Sequence, residues 1–197
     1  MKIILSFLLF WFQSLPSPDQ SADDVVAAAQ ERTRHFVIYD PSYVSLSYPN
    51  GDVPEQTGVC TDVIIRTYRA ALNFDFQKAV HEDMKSNFSA YPADWGLSRT
   101  DRNIDHRRVP NLETFLTRAG AALPITDKAK DYLPGDIVSW RLLSGAPHIG
   151  IVTDRTTKDG IPLIVHNIGL GVREDDMLFQ ARITGHFRYF PSSNISD

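Results

Sequence analysis

The sequence predicts an α+β fold, with helices through the first two-thirds of the chain and an antiparallel sheet after them. Three observations carry this. Helix-compatible residues run without interruption from Cys60 to about Leu72. Further helical stretches surround Phe76–Met84 and Leu112–Ala121. Beyond Pro134, short apolar runs alternate with turn formers, the pattern of a meander. At 197 residues, with 43% hydrophobic and 22% charged content, the chain suits one domain with a sizeable core. Its net charge of −4 gives no basic surface for nucleic acid or anionic lipid.

The chain opens on Met1-Lys2 and the apolar run Ile3 to Phe12, a charged n-region followed by an h-region. Ten residues of helix span about 15 Å, half of a bilayer core, so this is too short for an ordinary membrane span. Residues 1–17 read as a signal peptide or an N-terminal anchor. No small-x-small cleavage site follows, which leaves the anchor open. Export to the periplasm or cell envelope is the expectation. Ser21 is the predicted N-cap of a first helix that continues through Arg34, with Asp23 and Asp24 in its first turn. Phe36 to Tyr39 form a short strand ending at the Asp40-Pro41 turn signal.

Residues 40–59 form a long Pro-, Gly-, Ser- and Tyr-rich loop, of the length that is usually functional or disordered. Tyr43, Tyr48, Asp52 and Glu55 are candidates to line a site, or else serve turn chemistry. The loop delivers the chain's only cysteine, Cys60, to a helix start. There, unpaired backbone N–H groups and the positive end of the helix dipole favour thiolate. The competing role is a small buried hydrophobe. A lone cysteine in an exported chain cannot form an internal disulfide, which makes a reactive thiol or an intermolecular partner the alternatives.

The middle, about 73–131, reads as an insertion that shapes a cleft. His81 with Glu82 and Asp83 lacks the second histidine of a helical zinc site, so no metal and no cofactor is expected. Arg107 and Arg108 are candidates to hold a substrate carboxylate, with an ion-paired surface as the commoner role. In the sheet, His148 and His166 fall on consecutive strands of one hairpin. With its turn centred on Thr157 they face each other directly; a one-residue slip brings Asn167 to that face instead. Either way His148 gains a polar partner, which is what a base needs: one ring nitrogen for the nucleophile, the other held.

The order Cys-helix, Pro134-Gly135-Asp136-strand, His148-Ile149-Gly150-Ile151-Val152, then Val165-His166-Asn167 resembles the NlpC-type cell-wall peptidases of the papain-like superfamily. Tyr48-Pro49-Asn50-Gly51-Asp52, the run Asn103 to Leu112 and His166-Asn167-Ile168-Gly169 also resemble an uncharacterised exported bacterial family, a domain of unknown function. The first resemblance implies a papain-like fold, the nucleophile-bearing helix packed on an antiparallel sheet, as a single domain over 21–195. It implies Cys60 as nucleophile, His148 as base and His166 as orienting residue, with Asn167 the alternative. The expected activity is hydrolysis of an amide in peptidoglycan stem peptides. The Cys60 N–H, with Tyr48 or Tyr43, would form the oxyanion hole. A non-catalytic envelope binding or scaffold protein, or a thiol acyltransferase, are the rival functions. Two departures stand out: Thr61-Asp62 after the cysteine, and the long segment between Cys60 and Pro134.

Overall fold

The computed structural model describes residues 18–191; the expected signal or anchor lies outside them. Among the described residues no helix is long and apolar enough to cross a membrane. Helix α1 spans Pro18–Arg32 and begins three residues before Ser21, the expected cap, which lies buried within it. Proline's fixed φ suits the first turn of a helix, and this sets the earlier start. A two-stranded parallel ribbon follows, β1 (Ile38–Tyr39) with β2 (Thr57–Gly58), pairing Tyr39 with Gly58. Then come α2 (Cys60–Leu72), α3 (Phe76–Ser86) and α4 (Val109–Arg118).

The remaining strands are β3 (Ile137–Arg141), β4 (Pro147–Thr156), β5 (Pro162–Asn167), β6 (Val172–Asp175) and β7 (Arg182–Phe187). They form one antiparallel sheet in the order β6-β5-β4-β3-β7. The expected α+β arrangement, the cysteine helix packed on an antiparallel sheet, is what forms. Both faces of the sheet are covered. Ile137, Ile149, Ile151, Val165 and Phe187 pack with α2 and with Phe76, Val80 and Leu116 of the other helices. Trp140, Val138, Val152 and Ile164 pack on the opposite face beneath Tyr132, Met177 and Leu178. Double coverage explains why β4 is apolar at successive positions rather than alternating.

The start of α2 is stitched in place by charge. The Asp62 carboxylate reaches back to accept the N–H of Val59 at 2.6 Å, satisfying one of the helix's orphan donors. It also receives Arg107 on both oxygens, at 2.9 and 3.0 Å. Arg107 in turn donates to the carbonyls of Ser42 and Asp40, while the Thr61 hydroxyl donates to the Arg107 carbonyl. The buried Arg66 guanidinium binds Asp52 and the carbonyls of Val53, Pro54, Glu55 and Thr57. Thr61-Asp62 are therefore the residues that dock the helix start onto the middle segment. At the other end of the sheet Asp136 accepts from Leu133 N, His186 Nε2 and both Arg188 nitrogens, tying β3 to the end of β7.

The Asp62–Arg107 side chains are only 4% and 2% exposed, so neither charge is solvated without the other. Replacing Arg107 by Met should therefore lower unfolding stability by about 3–5 kcal/mol in urea titrations. Arg107→Lys should recover only part of that, because the bidentate geometry is lost. A loss below about 1 kcal/mol for Arg107→Met would contradict the stitching role.

Candidate active site

Cys60 is the first residue of α2, behind an extended Val59. Its thiol is buried against β4, in one core cluster with Ile149 and Ile151. Burial pushes the Cys60 thiol up to about 12; the N–H groups of Ile149, Thr61 and Cys60 itself oppose that shift and the Asp62 charge adds to it. The standing thiolate expected from the helix dipole is thus overturned. Desolvation of a charged sulfur outweighs a half-charge at a helix end.

His148 Nε2 and His166 Nδ1 lie 2.9 Å apart, their rings nearly perpendicular. Burial, and secondarily the charge of His166, pushes His148 down to about 3. The two are not directly opposite. His166 pairs with Gly150, and His148 is its diagonal neighbour. The hairpin closes with Thr157 N donating to Ile161 O, so its turn is centred on Asp159 rather than Thr157 and the pairing there is displaced by four residues. A bulge between Val152 and Thr156 absorbs part of the shift. A shift of two keeps the side-chain face, so the histidines still meet. Gly150 permits the approach: a Cβ there would fall 2.5 Å from Ile164 Cγ2 and 3.1 Å from His166 Cβ.

Along β4, Ile149 and Ile151 turn toward α2, whereas His148 shares the Trp140 face, its ring 5.9 Å from the indole. Thiol and imidazole therefore reach adjacent residues at the beginning of β4 from its two sides. No hydrogen bond joins them among the described residues. Asn167 alternates with His166 and lies on the Cys60 side, its Nδ2 3.5 Å from Gly58 O. The geometry separates the two: His166 touches His148, and Asn167 touches the loop before Cys60.

The other expected lining residues lie elsewhere. Tyr43 hydroxyl donates to Asp101 and receives Asn103, and Tyr48 reaches Glu82 and packs on His81, so neither tyrosine is at the thiol. Asp52 is held by Arg66 and Arg69. Glu55 is exposed near His35. Arg107 is taken by Asp62, and Arg108 stacks on Trp95 and pairs with Asp105. Asp83, expected on solvated surface, binds Arg118 and Tyr91. These charges find internal partners through tertiary pairing, which spacing does not reveal.

Two residues that sequence reasoning passed over do sit at the site. Tyr39 pairs with Gly58, two residues before Cys60; burial first, then the nearby Cys60 and Asp62, raise its hydroxyl pKa. Asp175 places Oδ2 3.6 Å from His166 Nε2. Their only local signals were a strand end and an acidic tripeptide. Among the described residues no group of three His, Cys, Asp or Glu side chains is placed to hold a metal ion.

Residues 26–189 match the family described as Domain of unknown function (DUF1287), and the chain belongs to that family. It is 52% identical over 166 residues to an uncharacterized protein of Escherichia coli strain K12, YijF, covering 84% of this chain and 80% of that one. Among solved structures it is similar to NlpC1 from Trichomonas vaginalis, at 15% identity and a TM-score of 0.45. That similarity covers 93% of this chain and 49% of the other, so the chain spans about half of that protein's length.

Two outcomes follow from this geometry. Gly150→Ala should cost about 1–3 kcal/mol of stability, because Ile164 and His166 must yield, and a neutral result in thermal melts would contradict the close approach. His148 and His106 both have pKa values lowered by burial from 6.5 to about 3. Below 6.5 the unfolded chain takes up protons that the native state refuses, so stability falls on acidification between 6.5 and about 3. The loss by pH 4.5 should be about 3 kcal/mol per histidine, and His148→Gln should remove its share of the slope in urea titrations.

Proposed function

We propose that the protein is a thiol hydrolase that opens an amide bond by acyl transfer through Cys60, with His148 as base and His166 as orienting residue. The observation that carries this reading is the 2.9 Å His148–His166 contact, borne on β4 next to Ile149, which packs in the same core cluster as Cys60. Because burial disfavours both charges, the resting pair is thiol and neutral imidazole. The proton then passes from Sγ to His148 Nδ1 as the S–C bond forms on the substrate carbonyl. The imidazolium returns that proton to the leaving amine as the C–N bond breaks, leaving a thioester. Water, deprotonated by His148, attacks the thioester; the acid is released and the thiol reprotonated. The transfer requires the His148 ring to turn past the start of β4 toward Cys60, because the two side chains approach that strand from opposite faces.

The oxyanion is stabilised by the Cys60 N–H at the helix start, with Tyr39 replacing Tyr43 and Tyr48 as second donor. Its raised pKa keeps the hydroxyl protonated. Peptidoglycan stem peptides are the proposed substrate, in keeping with the export signal read in residues 1–17 and with the peptidase-like order of motifs. A second reading has an observation of its own. A thiol raised to about 12, with no hydrogen bond to His148, is also what an inert scaffold on this fold would carry.

Digestion of purified peptidoglycan, read by mass spectrometry, tests the proposal. Peptide fragments released by the protein and absent with Cys60→Ala are expected, and added amine acceptors would expose acyl transfer as new conjugates. Identical products from both proteins would overturn the role of Cys60. Tyr39→Phe should lower kcat about 100-fold with little change in KM if its hydroxyl serves the oxyanion.

A further inference from the structure

His148, His166 and Asp175 form a diagonal ladder across three strands. His166 pairs with Gly150 of β4 and with Arg173 of β6, so His148 and Asp175 are each displaced two residues along their strands on the same face. We propose that Asp175 is a positioning residue that, through His166, fixes which nitrogen of His148 is free to accept a proton. Its bearing on turnover rests on the hydrolase reading; its effect on proton placement does not.

His166 Nε2 is buried and makes no hydrogen bond among the described residues, and the Asp175 carboxylate, at 3.6 Å, is the acceptor beside it. A buried ring nitrogen left without a partner is costly, and a carboxylate can only accept, so Nε2 carries the hydrogen. His166 Nδ1 then holds a lone pair. The 2.9 Å contact needs one donor, which must be His148 Nε2–H. That leaves the lone pair of His148 on Nδ1, the nitrogen nearest its own backbone. The opposite tautomer would aim a lone pair of His166 at a negative charge.

Asp175 is itself held. Arg173 Nε lies 3.3 Å from Oδ2 and Arg173 Nη2 3.4 Å from Oδ1. Burial first lowers the His166 pKa, with Asp175 opposing that shift and Arg173 adding to it. The charged and titratable groups facing His166 are thus His148 from β4 and Arg173 and Asp175 from β6; Trp140 on β3 brings no charge. At 36% exposure, the Asp175 carboxylate can rotate the short distance to a full hydrogen bond while the buried ring cannot.

The experiment is nitrogen-15 NMR of the imidazoles in the wild-type protein, Asp175→Ala and Asp175→Glu, with melting curves to confirm that each is folded. Both His148 and His166 should be Nε2–H tautomers in the wild type. Asp175→Ala should give tautomer mixtures, and Asp175→Glu should restore the wild-type pattern. Unchanged tautomers in Asp175→Ala would overturn the proposal, as would Nδ1–H on His148 in the wild type. Where turnover is measurable, Asp175→Ala should lower kcat at least about tenfold at unchanged KM. Expected tautomers in a protein that cleaves nothing would sink the hydrolase reading alone; turnover with unaltered tautomers would sink only the role of Asp175.

Discussion

The buried ion pair between Asp62 and Arg107 is the constraint on which the rest of the structure depends. A thiol can be aimed by a helix start only if that start is fixed, and Val59 has no side chain able to cap it. Asp62 supplies the missing acceptor from inside the helix, and Arg107 neutralises it from a segment 45 residues away. Because Arg107 also grips Ser42 and Asp40, the same pair positions the chain that follows Tyr39. Arg66 repeats the device one turn further along, gathering the carbonyls of the loop that delivers Cys60. Buried charges of this kind seldom add net stability over apolar residues, but breaking one is expensive. Their effect here is to allow one arrangement of loop, helix and middle segment.

Burial sets the chemical character of the site. It suppresses thiolate and imidazolium together, so the expected helix-dipole activation gives way to a neutral pair that needs general-base transfer during attack. Under the proposed hydrolase reading, reactivity depends on the placement of single protons. That is why the sheet matters beyond support. The period of two along β4, β5 and β6 puts His148, His166 and Asp175 on one face, and Gly150 removes the side chain that would hold the first two apart.

Much of this was legible in the sequence, for identifiable reasons. The span of α2 followed from an unbroken run of helix formers, and β3, β4 and β5 from apolar runs between turns. The histidine pairing survived an error of two in register because side-chain direction depends only on parity. What escaped depended on tertiary partners. β6 is a short polar edge strand, Val172-Arg173-Glu174-Asp175, whose charges are typical of exposed edges and give no apolar signal. Tyr39 is brought near Cys60 only through a parallel pairing with Gly58, nineteen residues later by number. Arg107, Arg108 and Asp52 resembled ligand-binding charges because sequence does not say which carboxylate or guanidinium will meet them.

The most direct test of an acyl-transfer role for Cys60 is intact-protein mass spectrometry after acid quench, on protein mixed with muropeptides. A covalent adduct mapping to Cys60 and released by hydroxylamine is the predicted result. Turnover without any adduct, or an adduct on another residue, would contradict the account.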